Sequence, residues 1–224
     1  MQIETIDQFG IDVLLGSNNA FLDHFALTMT NAFTWVPLYI ALLVLVIKNN
    51  DNMQQIALCF FCGVLGVALA SIMADVIVKP WVARLRPCNE PTVKYLVQIA
   101  GNLHNKDYSF FSAHAANTMS LAIFFSLLVR SAWLSLVLVG WSLLNCWTRL
   151  YLGQHYMTDI MVGLSWGVVV GIVCYLVHWK ISRNFPKKRF VSSQYTSSGY
   201  TYLDIDVVFS VIAMTVAYAM LPMT

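Results

Sequence analysis

Residues 159–180, "DIMVGLSWGVVVGIVCYLVHWK", decide the fold of this chain. Only the first and last of these 22 residues, Asp159 and Lys180, carry a charge at neutral pH. An α-helix of this length crosses the roughly 30 Å of hydrocarbon in a bilayer. The stretch therefore predicts a transmembrane helix, and the rest of the sequence can be read outward from it.

The composition agrees with a membrane protein. Of the 224 residues, 58% are hydrophobic and 11% are charged, whereas a soluble domain carries about a quarter charged residues. The net charge of +2 is too small to indicate nucleic-acid binding. We therefore expect a bilayer environment and no nucleic-acid partner.

Apolar runs predict about six transmembrane helices. Their predicted bounds are 26–47, 55–78, 113–130, 132–148, 159–180 and 205–223. The third and fourth spans, separated only around Ser131, form a tight helical hairpin in this interpretation. The fold class is an all-α, polytopic membrane helical bundle with one domain over residues 1–224.

Three polar segments complete this plan. Residues 1–25 alternate apolar and acidic side chains, which predicts a segment lying along the membrane interface. Residues 79–112 form a long loop on the N-terminal side of the membrane, and residues 181–204 form a loop on the other side. The pair Cys59 and Cys62 lies within an apolar run without a second ligand pair nearby, so it predicts buried packing residues rather than a metal site or a disulfide.

The distribution of Lys and Arg gives the orientation. Six lie on the N-terminal side and seven on the opposite side. If Lys79, Arg86 and Arg149 are kept for the chemistry and set aside, three Lys and Arg residues remain on the N-terminal side against seven on the opposite side. The positive-inside rule then places the 181–204 loop in the cytoplasm and the 79–112 loop outside the cell membrane.

Three polar motifs are predicted to meet at that outer face. They are "KPWVARLRP" at 79–87, "FFSAHAAN" at 110–117 and "TRLYLGQHYMTD" at 148–159. Arginine forks and a lysine charge suit phosphate oxygens, as does a helix N-terminus capped by Ser112. His155 and Asp159 share one helix face, so the carboxylate can accept one ring N–H and leave the other nitrogen free to act as a nucleophile or base. His114 can give a proton to a leaving oxygen.

The spacings K-x6-R-P, S-x-H and R-x5-H-x3-D resemble those of the type 2 phosphatidic acid phosphatase family, which shares its site with vanadium haloperoxidases and bacterial acid phosphatases. The resemblance covers residues 79–159 in the same order. It implies that His155 attacks phosphorus to give a phosphohistidine, with Asp159 orienting it and His114 exchanging protons with the leaving group and water. It further implies no metal and no cofactor.

The phosphate ligands follow from the same resemblance. They are Lys79, Arg86, Ser112, Ala113 and Arg149, with Arg84 as an accessory candidate for a second phosphate. The family usually has P-S-G-H, where this chain has Phe111 and Ala113 in place of proline and glycine. Thr148 replaces the usual serine before the arginine. We also expect Asp75 to form a structural ion pair with Lys79, four residues later.

The predicted function is hydrolysis of a terminal phosphate from a membrane lipid, with undecaprenyl diphosphate ranked first. A phosphorylated lipid A is the alternative, followed by phosphatidylglycerophosphate and phosphatidate. Two other classes stay open: a vanadate-dependent haloperoxidase, against which the apolar spans argue, and a non-enzymatic binder or transporter of lipid phosphates. The sequence predicts no oligomeric state.

Overall fold

A computed structural model of the protein describes residues 6–11, 19–91, 107–185 and 193–221. Apart from one isolated β-bridge between Tyr195 and Thr201, the regular structure in these ranges is helical. The helices are α1 (Ala20–Thr30), a 3₁₀ turn (Ala32–Trp35), α2 (Val36–Lys48), α3 (Met53–Ser71), a π-helix (Ile72–Val78), α4 (Lys79–Val82), α5 (Ala113–Val129), α6 (Ala132–Tyr151), α7 (Met157–Ser182) and α8 (Tyr202–Ala219). Residues 6–11 form a further short helical segment.

The predicted membrane helical bundle is confirmed. The runs Met53–Asn89, Met157–Ser182 and Tyr202–Ala219 are each long and apolar enough to cross a bilayer, and a bent pair of helices over Ala20–Lys48 forms a fourth candidate span. The two remaining predicted spans correspond to the shorter apolar helix α5 and to α6. Helix α6 is less apolar because it contains polar residues such as Ser142, Asn145 and Arg149. These three side chains are buried inside the protein.

The first predicted span is not one continuous helix. The chain bends by 68° between Thr30 and Ala32, where Asn31 is extended and its side chain accepts the N–H of Phe33 at 3.0 Å. Trp35 Nε1 donates to the carbonyl of Met29 at 2.8 Å, which gives a partner to a backbone group freed at the break. Helix α1 therefore runs at an angle to α2. The first residues of α1 belong to the predicted interfacial segment 1–25.

Helix α5 lies at the centre of the bundle and packs against α3, α6 and α7. The hairpin predicted around Ser131 is confirmed: α5 ends at Val129, Arg130 adopts the left-handed conformation with φ 56°, and Ser131 caps α6. Cys59 and Cys62 are buried free thiols, as expected. The Cys59 sulfur lies 3.2 Å from Nε2 of His178, a contact that the sequence did not indicate.

Glycines bring α7 very close to α5. A Cβ atom at Gly163, Gly167 or Gly171 would lie 2.6–2.7 Å from the carbonyl oxygen of Ser112, Ala116 or Ser120, respectively. Small residues at this four-residue spacing allow two membrane helices to approach at backbone distance. The spacing therefore fixes how the first turns of α5 and α7 lie beside each other.

The end of the bundle that carries the 181–204 loop is closed by polar contacts among described residues. Asp204 accepts from Lys48 at 2.5 Å and from Asn49 at 3.0 Å. Ser198 donates to the carbonyl of Val129 at 2.6 Å. The basic cluster at 187–189, on which the orientation partly depends, lies outside the described residues.

Replacing Gly167 with alanine should lower the thermal unfolding temperature of the detergent-solubilised protein. The new methyl group would lie 2.6 Å from the carbonyl of Ala116, and such overpacking costs about 1–3 kcal/mol. Gly140→Ala is the matched control, because a Cβ at this helical glycine meets nothing within 4 Å. Equal unfolding temperatures for the two variants would contradict the close approach.

Candidate active site

The three motifs meet at one end of the bundle through backbone hydrogen bonds. Ser112 N donates to the carbonyl of Asp159 at 3.1 Å, and Cys88 N donates to that of Gly153 at 3.2 Å. A third bond joins Ser109 N to the carbonyl of Arg84 at 2.8 Å. The residues after α4, the start of α5 and the start of α7 therefore form one connected structure.

His155 has a defined orientation. The ring is 3% exposed, and Nδ1 lies 2.8 Å from the carbonyl oxygen of Ser109. A carbonyl oxygen can only accept, so Nδ1 carries the proton and Nε2 keeps its lone pair. This is the tautomer that a nucleophilic or basic histidine requires.

The partner of that N–H differs from the predicted one. Oδ2 of Asp159 lies 3.6 Å from Nδ1 of His155, whereas the carbonyl oxygen of Ser109 lies 2.8 Å from the same nitrogen. The same carboxylate oxygen accepts the backbone N–H of Tyr156 at 3.0 Å, at the start of α7. Asp159 therefore lies beside the ring and caps the helix, while a backbone carbonyl holds the ring. Sequence reasoning missed Ser109 because it contributes its main chain, which leaves no mark on residue type.

Arg84 does not point toward a free phosphate position. Its Nη1 donates to Asp159 at 2.9 Å and to Thr158 at 2.8 Å, its Nη2 donates to Asp7 at 2.5 Å, and its guanidinium lies 3.8 Å from the ring centre of Tyr156. These contacts occupy the charged group on several sides. In the structure Arg84 is thus engaged by Asp159, Thr158 and Asp7, and the accessory phosphate contact expected from the sequence stays a prediction.

Arg86 and Arg149 are buried, and in the described part of the chain neither has a carboxylate partner. Arg86 donates to the carbonyls of Asp107 at 2.9 Å and Gln154 at 3.0 Å, and Arg149 donates to Thr30 Oγ1 at 3.0 Å. Within the described residues, neither guanidinium has an acidic side chain at salt-bridge distance, and Nε of Arg149 has no hydrogen-bond partner. Two buried guanidinium groups without a carboxylate at this distance are suited to binding an anion.

Lys79 forms the expected ion pair. Its Nζ lies 2.5 Å from Oδ1 of Asp75, and the lysine side chain is 12% exposed. The pair lies at the junction of the π-helix and α4. Unlike Arg86 and Arg149, this cation already has a negative partner.

The electrostatic surroundings of His155 are positive. Burial lowers the pKa of His155 well below its ordinary value of 6.5, and the charges of Arg149, Arg86 and Lys79 lower it further. The charges of the same three cations also surround His114, the second residue of α5. Both imidazoles therefore face the same positive environment.

The start of α5 supplies backbone donors to this environment. Ser112 is fully buried, and its Oγ accepts the N–H of Ala115 at 3.4 Å as the N-cap. The N–H groups of Ala113 and His114 belong to the first turn, whose donors have no partner within a helix. Phe111 is buried in an apolar cluster with Ala70 and other small residues, so packing anchors this loop where the related motif has proline.

The arrangement suits an anion with several oxygens. Guanidinium groups, helix N–H groups and a lysine supply donors from three directions. Within the described ranges, no three His, Cys, Asp or Glu side chains are grouped so that they could hold a metal ion. The free Nε2 of His155 is the candidate nucleophile in these positive surroundings.

A family model described as the PAP2 superfamily matches residues 57–183. The chain belongs to the PAP2 superfamily. The match contains all three motifs, and the expected class of enzyme, a membrane hydrolase of lipid phosphates, is confirmed at that level.

Curated relatives and a solved structure extend this comparison. The chain is 35% identical to a lipid A 4'-phosphatase of Bacteroides thetaiotaomicron, over 80% of this chain and 81% of the relative. It is 30% identical to a lipid A 4'-phosphatase of Porphyromonas gingivalis, over 74% and 70%. It is 25% identical to the undecaprenyl-diphosphatase BcrC of Bacillus subtilis, over 71% and 76%. The crystal structure of a transmembrane PAP2-type phosphatidylglycerolphosphate phosphatase from Bacillus subtilis matches with a TM-score of 0.58 at 17% identity, covering 85% of this chain and 90% of that one.

The depressed pKa of His155 predicts a specific loss of stability in acid. Below pH 6.5, the ordinary pKa of histidine, His155 binds a proton in the unfolded chain but stays neutral in the folded site. The free energy of unfolding therefore falls with decreasing pH, by up to about 1.4 kcal/mol per pH unit for one such group. The drop in unfolding temperature between pH 7.5 and pH 5.5 should therefore be smaller in His155→Gln than in the wild type.

His24→Gln is the control for this comparison, because His24 is partly exposed on α1. It should show the wild-type drop. An equal acid-induced drop in all three proteins would contradict a neutral, buried His155.

Proposed function

We propose that this PAP2 protein removes a terminal phosphate from a membrane lipid by nucleophilic catalysis at His155. The observation that carries the proposal is the hydrogen bond of Nδ1 to the Ser109 carbonyl at 2.8 Å, which leaves the Nε2 lone pair free in surroundings made positive by Arg149, Arg86 and Lys79. In the first step Nε2 forms a bond to phosphorus while the phosphorus–oxygen bond to the lipid breaks. His114, protonated when the bound phosphate dianion offsets the neighbouring cations, donates a proton to the departing oxygen.

The second step returns the enzyme to its starting state. His114, now neutral, takes a proton from water as that water attacks the phosphohistidine. The phosphorus–nitrogen bond breaks, and inorganic phosphate leaves. Microscopic reversibility assigns the proton donor of the first step as the proton acceptor of the second.

The phosphate is held by the residues whose charges or donors face His155. In the proposal these are Lys79, Arg86, Arg149, and the start of α5 at Ser112 and Ala113. Arg86 and Arg149 gain the anionic partner that they lack among the described residues. Asp159 acts indirectly, since it caps the first turn of α7 and binds Arg84.

Charge balance favours a phosphomonoester over a diphosphate. A phosphomonoester carries about −1.5 to −2 at neutral pH, which matches the charge of the two buried arginines that lack a carboxylate partner within the described ranges. Lys79 can still donate to the phosphate, but its charge is balanced by Asp75, as that of Arg84 is balanced by Asp7 and Asp159. Arg84, the cation expected to bind a second phosphate, is therefore engaged by other partners.

Among lipid phosphomonoesters, we propose a phosphorylated lipid A as the substrate. The support is the 35% identity over most of both chains with a lipid A 4'-phosphatase. Undecaprenyl diphosphate, ranked first from the sequence, becomes the second candidate, supported by the 25% identical relative. Phosphatidylglycerophosphate and phosphatidate complete the panel to be tested.

We also propose that the active site opens on the extracytoplasmic side of the inner membrane. The Lys and Arg count supports this orientation once the three phosphate-binding cations are set aside. In that orientation the lipid tail stays in the outer leaflet while its phosphate reaches the helix mouths.

Phosphate release from purified protein in detergent tests the reaction. The wild type should release phosphate fastest from lipid A, more slowly from undecaprenyl diphosphate, and at an unchanged rate with a chelator present. His155→Ala should lower the rate at least about a thousandfold, because removal of a nucleophile removes the covalent path.

His24→Ala serves as the control and should keep the wild-type rate. Loss of activity with chelator would overturn the metal-free route, and a near-native rate in His155→Ala would overturn the nucleophile. Tight lipid binding without phosphate release would make the protein a binder or transporter. Halide oxidation without phosphate release would favour the haloperoxidase reading.

Single-cysteine labelling of intact cells tests the orientation. Tyr108 and Asn184 are exposed at opposite ends of the bundle, and the five native cysteines are buried. A membrane-impermeant thiol reagent should label Tyr108→Cys and spare Asn184→Cys. The reverse pattern would place the active site in the cytoplasm.

A further inference from the structure

The N-terminal helical segment 6–11 reaches the back of the active site from outside the family match at 57–183. Asp7 in this segment is 5% exposed. Gly10 of the same segment lies against α7, since a Cβ there would be 3.2 Å from that of Met157. A buried acidic residue therefore enters the site region from a part of the chain that the three motifs do not include.

Asp7 binds two partners at once. Its Oδ1 accepts the backbone N–H of Thr158 at 2.9 Å, and its Oδ2 accepts the Thr158 hydroxyl at 2.9 Å. Oδ2 also pairs with Nη2 of Arg84 at 2.5 Å. Asp7 thus caps the first turn of α7 and fixes one edge of the Arg84 guanidinium.

Arg84 connects Asp7 to the nucleophile by two routes. Its other edge binds Asp159 at 2.9 Å, and Asp159 lies 3.6 Å from the His155 ring. Its backbone carbonyl accepts the N–H of Ser109 at 2.8 Å, and the Ser109 carbonyl in turn holds Nδ1 of His155 at 2.8 Å. Movement of Arg84 would therefore disturb the acceptor that sets the His155 tautomer.

We propose that Asp7 is a positioning residue that holds Arg84 between two carboxylates. In this position Arg84 supports His155 and stays out of the phosphate-binding group formed by Arg86 and Arg149. The inference rests on the proposed function of His155 as the nucleophile. It adds a residue from the N-terminal segment to the working site, acting on the chemical step through Arg84 without touching the substrate.

The alternative is that Asp7 merely caps α7. The substitution Asp7→Asn separates the two roles, because the amide oxygen can still accept the Thr158 N–H while the charge that pairs with Arg84 is lost. A cap alone predicts wild-type kinetics for this variant. The positioning role predicts a kinetic defect despite normal folding.

Steady-state kinetics on the best substrate of the panel, using the full-length protein, provide the test. Asp7→Asn should lower kcat about tenfold, equal to about 1.4 kcal/mol, and leave KM within about twofold. Asp7→Glu, which restores the charge, should recover part of the loss. In an Arg84→Gln background, Asp7→Asn should cause no further loss, because both changes act through the same group.

Asp204→Asn is the matched control. Asp204, like Asp7, is a buried carboxylate in an ion pair, but its partner is Lys48 and it lies at the opposite end of the bundle. It should lower the unfolding temperature and leave kcat unchanged. An unchanged kcat in Asp7→Asn would overturn the positioning role, as would losses that multiply independently in the double variant.

A second measurement separates this inference from the proposed function. In protein with ¹⁵N-labelled histidine, the NMR signals of the His155 ring, assigned by their loss in His155→Gln, should shift in Asp7→Asn and stay fixed in Asp204→Asn. An unchanged ring spectrum would overturn the positioning role whatever the activity. A wild type without phosphatase activity but with the expected shift would overturn only the proposed function.

Discussion

The close approach of α5 and α7 is the constraint on which the site depends. Gly163, Gly167 and Gly171 let the α7 backbone lie directly against carbonyl oxygens of α5, and the uppermost contact is with Ser112, the cap of α5. The bond from Ser112 N to the Asp159 carbonyl locks the same two helix ends together. A wider spacing would separate the donors at the start of α5 from His155, which directly precedes α7.

Charge is distributed across this site in two layers. Behind His155, Arg84 is neutralised by Asp7 and Asp159. On the other side, Arg86 and Arg149 are buried without an acidic partner in the described part of the chain. The back layer therefore has two carboxylates for one guanidinium and does not attract an anion, whereas the two buried arginines do. Burial, together with the charges of Arg149 and Arg86, lowers the pKa of His155.

Much of this could be predicted from the sequence, and the exceptions have physical reasons. Apolar runs predicted the helical bundle, and ordered polar motifs predicted which side chains would gather, because residue type and spacing carry that information. The bend at Asn31 was missed, since an apolar run does not reveal where local side-chain bonds to the backbone replace the helix. The carbonyl of Ser109 and the carboxylate of Asp7 were missed for different reasons: one acts through its main chain, and the other comes from a distant segment with no recognisable motif.

The central claim is that the free Nε2 of His155 attacks phosphorus. Rapid quenching of the enzyme with a substrate carrying ³²P in its terminal phosphate, followed by peptide mapping, tests this directly. The account predicts an acid-labile, base-stable label on His155 in the wild type. In His114→Gln, a substrate whose leaving oxygen needs no protonation should give the same label with a longer lifetime, because the second step lacks its base. Label on another residue, or phosphate release with no labelled intermediate in either protein, would contradict it.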